Sequence, residues 1–183
     1  MLTHLAGLDV ATVHRHSVAV AKRLPTLPAF ESAKSLVVYV SFGNEIETHD
    51  LIRQLLADGR HVCVPSFDAG NYLVAEILDF DQDMFVGKYN ILEPKHLRRV
   101  PVTRPDVWLV PGLAFDQKGN RLGRGKGCFD ALLQHARGVK IALTHDFQLL
   151  NEVPTEPHDV HMDFIVTETQ VVQCLRNYES NCL

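Results

Sequence analysis

Residues 107–130 read VWLVPGLAFDQKGNRLGRGKGCFD, and this stretch decides the fold. Val107–Val110 is a short, continuous apolar run, the composition of a strand buried on both faces of a sheet. Pro111-Gly112 ends it. Residues 119–130 then pack four glycines, three cations (Arg121, Arg124, Lys126) and a final carboxylate, Asp130, into twelve positions. A helix is expected over Phe129–Ala136, closed by Gly138, and Val139–Thr144 reads as the next strand. Strand, loop, helix, strand is the unit of a parallel sheet with a crossover.

Working outward, the same alternation continues. Residues 9–24 carry apolar positions at helical spacing, with Asp9 placed to cap them and Pro25 and Pro28 to end them. Ser35–Ser41 reads as a buried strand and Ile46–Asp58 as a helix closed by Gly59. His61–Pro65 and Tyr72–Leu78 read as strands, residues 79–106 as turns and loops, and Asp163–Thr167 and Val171–Leu175 as closing strands. The pattern predicts an α/β fold: three layers, with helices on both faces of a mixed, mostly parallel sheet. In such folds sites form beyond the carboxyl ends of the strands. Ser41–Thr48 and the glycine-rich loop both stand there and are expected to face one cleft.

The chain has 183 residues, which fits a single domain over 1–183 with a core that needs no disulfides. A net charge of −4 opposes a general nucleic-acid surface, so the basic loop is a local feature. Cys63, Cys128, Cys174 and Cys182 show no CxxC spacing, which opposes a zinc knuckle or a thioredoxin-like motif. No apolar run reaches the length of a membrane span, and no signal-peptide pattern opens the chain. A cytoplasmic protein with small-molecule partners is the expectation.

Glycines let backbone N–H groups approach an anion closely and permit positive φ, while arginines pair phosphate oxygens in two-pronged fashion. Asp130 offers a hard oxygen of the kind Mg²⁺ takes. The loop is neither a Walker A motif nor a dinucleotide-binding fingerprint. A phosphate can lie against it where the following helix begins. A basic, flexible surface loop is the bland alternative. Glu45 and Glu47, taken alone, read as carboxylates favoured at the start of the 46–58 helix. Asp159, His161 and Asp163 alternate without a recognised metal spacing.

Asn120–Asp130 (NRLGRGKGCFD) resembles the signature of the 5-formyltetrahydrofolate cyclo-ligase family, and further segments follow in order: SFGNEIETHDLI (41–52), NILEP (90–94), LVPGLAFD (109–116) and VPTEPHDVHMDFIVTE (153–168). The resemblance implies a three-layer, Rossmann-like fold of the NagB/RpiA/CoA-transferase kind. It implies an ATP- and Mg²⁺-dependent ring closure of 5-formyltetrahydrofolate to 5,10-methenyltetrahydrofolate by a monomer. In it the formyl oxygen is phosphorylated, N10 attacks and phosphate leaves. By resemblance the nucleotide lies along Arg121, Leu122, Gly123, Arg124, Gly125, Lys126, Gly127, Cys128 and Phe129. The folate meets Val40, Glu45 and Tyr89, and also Arg124, Gly125, Lys126, Gly127 and Cys128. Arg124 and Lys126 take the catalytic role, and Asp130 and Asp159 the metal.

Two departures from the family stand out. Cys128-Phe129 replaces a usual Tyr-Tyr pair. Only Met1–His4 precede the segment that follows the family's N-terminal helix, and no Lys or Arg comes before Arg15, so that helix's Lys-x-x-x-Arg element is expected to be missing. Two lost charge-assisted contacts, at roughly 1.5–3 kcal/mol each, would weaken ATP binding by about two to four powers of ten. These residues also leave open a catalytically weakened or inactive relative that binds folate or nucleotide in a regulatory role, and an enzyme acting on another phosphorylated small molecule.

Overall fold

A computed structural model describes residues 1–87, 91–125, 127–156 and 159–175, with the backbone alone at Cys128. Its centre is an eight-stranded sheet. The strands β1 (Ser35–Val38), β2 (His61–Asp68), β7 (Val107–Val110), β10 (Val139–Leu143) and β12 (Phe164–Val166) run parallel in the order β2-β1-β7-β10-β12. Antiparallel strands extend both edges. β3 (Asn71–Ile77) and β6 (Arg98–Val100) lie beyond β2, and β13 (Val171–Gln173) lies beyond β12.

The buried strands alternate between two apolar layers, as the pleat requires. Leu36, Val38, Val62, Val64, Val107, Leu109, Ile141 and Leu143 point into the layer filled by α2 (Val10–Arg23), α3 (Pro28–Ser32) and α4 (His49–Ala57). Val37, Cys63, Trp108, Val110 and Ala142 point the other way, toward Leu132 and Leu133 of α6 (Cys128–Leu133). That second layer also holds a small sheet of β8 (Ala114–Asp116), β9 (Arg121–Leu122) and β11 (Leu149–Leu150). Phe115 of β8 is fully buried there.

Several expectations need correction. The first helix of the chain is α1 (Leu2–Ala6), which periodicity did not mark because it is a little over one turn. α2 is capped by Asp9, whose carboxylate accepts from the Thr12 N–H at 2.8 Å. The helix expected from Ile46 starts at His49. The Thr48 hydroxyl donates to the Tyr39 carbonyl at 2.6 Å and accepts from the Ser41 N–H, which folds residues 39–48 into a tied loop. Residues 79–106 hold real elements: α5 (Phe80–Asp83), a hairpin of β4 (Met84–Val86) with β5 (Leu92–Pro94), and β6. Strands of three residues carry too little alternation to be read from sequence. Among the described residues no helix is long and apolar enough to cross a membrane.

One carboxylate organises the approach to the glycine-rich loop. Asp116 is fully buried and accepts from the N–H groups of Lys118 (3.0 Å), Asn120 (3.1 Å) and Val153 (2.9 Å), and from the Asn120 side-chain amide (2.8 Å). Within the same turn Gly119 has φ +87, and a Cβ there would stand 2.4 Å from the Met162 carbonyl oxygen. Only glycine fits both the conformation and the space.

Candidate active site

Two loops leave the carboxyl ends of the neighbouring strands β1 and β7, and between them lies a cleft of about 420 Å³. Tyr39 and Val40 enter it directly from the end of β1, and Pro111 and Gly112 from the end of β7. The far wall comes from β2, β3 and β5, through Pro65, Phe67, Tyr72 and Leu92. The rings of Phe67 and Tyr72 pack tilted, 5.0 Å apart.

The decisive contact joins the two loops. Arg124 donates from Nε (3.1 Å) and Nη2 (3.0 Å) to the Oε1 atom of Glu45, 79 residues earlier in the chain. Glu45 also accepts from the Phe42 N–H at 3.2 Å through Oε2. The Arg124 guanidinium lies 4.5 Å over the Phe42 ring, a cation–π stack. Glu45 is 8% exposed, whereas the Arg124 side chain keeps 37% of its surface open to the cleft. Burial pushes the Glu45 carboxyl above the ordinary glutamate value, and the Arg124 charge and the Phe42 N–H only partly offset this. The loop itself is tied down, since the Tyr39 hydroxyl donates to the Ile46 carbonyl at 2.8 Å.

The sign of the Glu45 shift sets a pH dependence. A raised folded-state pKa means that the native chain holds its proton longer than the unfolded one. Stability from this group is therefore full below the ordinary value of 4.5 and declines as pH rises through the higher folded value. Glu45→Gln should gain stability relative to the parent between pH 4 and 7, measured as the shift of urea midpoints across that range. A gap between the two that narrows toward neutrality in favour of the parent would contradict this origin.

Arg121 occupies a different place from Arg124. Its side chain is 6% exposed, and it donates to the Pro111 carbonyl (3.3 Å) and to the Asp130 carboxylate. It therefore positions Asp130 at the edge of the cleft. Gly127, with φ +65, forms the left-handed turn that starts α6, and nothing stands within 4 Å of the position a Cβ would take.

Of the residues singled out by sequence, Val40, Glu45, Arg121, Gly123, Arg124, Gly127, Phe129 and Asp130 line this one cleft. Leu122 and Gly125 belong to the same loop but stand outside the lining. Asp159 does so too. Its carboxylate closes a turn by accepting from the Glu156 N–H at 2.8 Å. Tyr89, Lys126 and the side chain of Cys128 lie outside the described residues. Asp163, one of the alternating acids, accepts from the Lys140 N–H at 2.9 Å and fixes strand register. Glu47 pairs with His14 at 3.1 Å on the surface. The helix-start reading of Glu45 gives way, because the helix begins four residues later. Sequence reasoning missed the aromatic wall of Tyr39, Phe42, Phe67 and Tyr72. Its signal was aromatics placed just past a strand end and across a hairpin.

The sequence model described as the 5-formyltetrahydrofolate cyclo-ligase family matches residues 1–168. The chain belongs to this family. It is 35% identical over 159 residues to the 5-formyltetrahydrofolate cyclo-ligase of Escherichia coli K12, a match covering 82% of this chain and 87% of that one. The cyclo-ligase of Mycolicibacterium smegmatis is 35% identical over 153 residues, covering 79% of each. Among solved structures, the 5,10-methenyltetrahydrofolate synthetase of Aquifex aeolicus superposes with a TM-score of 0.85 at 28% identity, covering 98% of this chain and 94% of that one. The cyclo-ligase family is one of ligases, which places this chain among enzymes.

Proposed function

We propose that this chain closes the ring of 5-formyltetrahydrofolate to 5,10-methenyltetrahydrofolate, with ATP spent to ADP and phosphate. The observation that carries the reading is the Glu45–Arg124 contact. It holds a buried carboxylate and an open guanidinium side by side at the head of an aromatic cleft. The aromatic wall suits a flat bicycle such as a pterin, with Val40 and Tyr89 completing the folate subsite. Glu45 accepts from the ring system near its reacting end. The loop 121–129, with Lys126, Cys128 and the amides of Gly123, Gly125 and Gly127, takes the polyphosphate. Arg124 and Lys126 take up the charge that develops as the γ-phosphoryl moves to the formyl oxygen. N10 then attacks the activated carbon, and the C–O bond to phosphate breaks.

Mg²⁺ fits this donor set. Asp130 offers a hard carboxylate at the cleft edge, with 44% of its side chain open. Mg²⁺ is held by one or two carboxylates together with substrate phosphates, so Asp130 is the proposed ligand in the cleft, and Asp159, which stands outside the lining, is proposed as the second on the resemblance alone. The ion would neutralise phosphate charge. The protein is taken to act as a cytoplasmic monomer on small molecules alone. The buried free thiols Cys63 and Cys174, whose pKa values burial pushes up to about 12, fit a reducing compartment.

Purified protein with Mg-ATP and 5-formyltetrahydrofolate should form the methenyl product, followed by its absorbance. No product together with saturable ligand binding would replace this reading by the regulatory one. Asp130→Asn should raise the Mg²⁺ concentration for half-maximal rate about tenfold, and Asp159→Asn less. An unchanged Mg²⁺ titration in Asp130→Asn would remove that residue from the metal.

A further inference from the structure

Behind the 39–48 loop, away from the cleft lining, two histidines and a glutamate converge from three elements. His16 comes from α2, His145 follows β10, and Glu168 follows β12. One ligand atom from each lies within 4.8 Å of the others. His16 Nδ1 stands 2.9 Å from His145 Nδ1 and 3.2 Å from Glu168 Oε1. His145 is fully buried, and the side chains of His16 and Glu168 are 24% and 14% exposed.

The protons can be placed. His145 Nε2 is 3.0 Å from the Asn44 carbonyl oxygen, which can only accept, so Nε2 carries the hydrogen and Nδ1 presents a lone pair to the cluster. His16 Nδ1 faces that lone pair and a carboxylate oxygen, so its proton is shared between two acceptors. Glu168 is itself held, with Oε2 accepting from the Asp146 N–H at 2.9 Å. A further carboxylate oxygen, Asp146 Oδ1, is buried and has no hydrogen-bond partner among the described residues.

We infer that His16 Nδ1, His145 Nδ1 and Glu168 Oε1 form a site for one divalent transition metal of the zinc class. Two imidazoles and a carboxylate with an open fourth position are a known Zn²⁺ donor set, whereas Mg²⁺ prefers all-oxygen shells. Ligands at about 2.0–2.2 Å from a tetrahedral ion lie roughly 3.3 Å from one another, close to the two separations that His16 Nδ1 makes, with the third pair within 4.8 Å. The outer contacts are those a metal site requires. The ligating histidine donates its other N–H to a carbonyl, and the carboxylate is fixed by a backbone N–H. On binding, the ion takes the place of the His16 Nδ1 proton, which leaves that nitrogen for Nε2 or for solvent.

The site would act as a clasp. Asn44, whose carbonyl orients His145, donates through its side chain to the carbonyls of Leu5 (2.9 Å) and Leu8 (3.0 Å), and Glu45 is the next residue. An ion there ties α2 and the N-terminal turn to the loop that carries Glu45.

Tag-free protein titrated with Zn²⁺ by calorimetry, with millimolar Mg²⁺ present to fill hard-oxygen sites, should take up one ion per chain at micromolar affinity or tighter. Co²⁺ should give the visible absorption of a tetrahedral nitrogen–oxygen site. Since His145 is buried and its replacement risks the fold, the test rests on His16→Ala and Glu168→Gln, checked by circular dichroism. Each should weaken uptake at least tenfold, while His61→Ala on the surface should leave it unchanged. Absence of saturable one-to-one uptake, or parental affinity in His16→Ala, would overturn the site.

Discussion

Arg124→Ala is expected to lower kcat/KM for ring closure by about two to three powers of ten, the usual cost of losing one preorganised donor to developing charge. Three roles end together. On the proposed mechanism the guanidinium no longer meets the transferring phosphoryl group, and it no longer pairs with Glu45 or stacks on Phe42. The loss should fall mainly on kcat, because the charge it answers appears in the transition state. Removing the cation also leaves only the Phe42 N–H to offset burial at Glu45, so its carboxyl should titrate higher still. Arg124→Lys keeps the charge but not the fork, and should recover only part of the rate. Steady-state kinetics of the three proteins provide the check. A kcat/KM within threefold of the parent in Arg124→Ala would remove this residue from the chemistry.

The second large effect is structural. Asp116→Ala should cost about 4 kcal/mol or more, because the N–H groups of Lys118, Asn120 and Val153 and the Asn120 amide all lose their acceptor. Each buried donor left unpaired costs roughly 1–3 kcal/mol, and a domain has only about 5–15 kcal/mol in all. Asp116→Asn keeps one carbonyl acceptor and should lose less. Urea unfolding gives the difference directly, and an unchanged midpoint in the alanine variant would refute the anchoring role. This carboxylate sets the start of the loop that carries Arg121 and Arg124, so a variant that still folds should also bind ATP more weakly.

The parallel strands of the sheet were legible because each contains a short apolar run bounded by Gly, Pro or polar residues, whereas the edge strand β6 lies in a segment that read as turns and loops. The cleft was legible in the glycine-rich loop that carries Arg124, whereas Glu45 read alone as a helix-start carboxylate and joined the site only through the family resemblance. The pairing between them was not, because 79 residues separate them and only the crossover of β1 against β7 closes that distance. Arg121 shows the limit in another way. By composition it equals Arg124, yet Pro111 and Asp130 engage it inside the wall. The histidines at 16 and 145 were unreadable for a similar reason, being 129 residues apart with no local pattern around either.

The pairing of β1 with β7 also bears on how the chain reaches its native state. Ser35 and Asp106, which lock the two strands at their starts through bonds of 2.9 Å, are 71 residues apart. β2 can pair with one edge of β1 early, but in a growing chain the other edge stays open until β7 has been synthesised. Non-local parallel pairing of this kind must close a long loop before any contact rewards it, which slows folding and lengthens exposure to aggregation. Refolding of this protein should therefore be slow and concentration-sensitive, with the yield set by how long the β7-facing edge of β1 stays open.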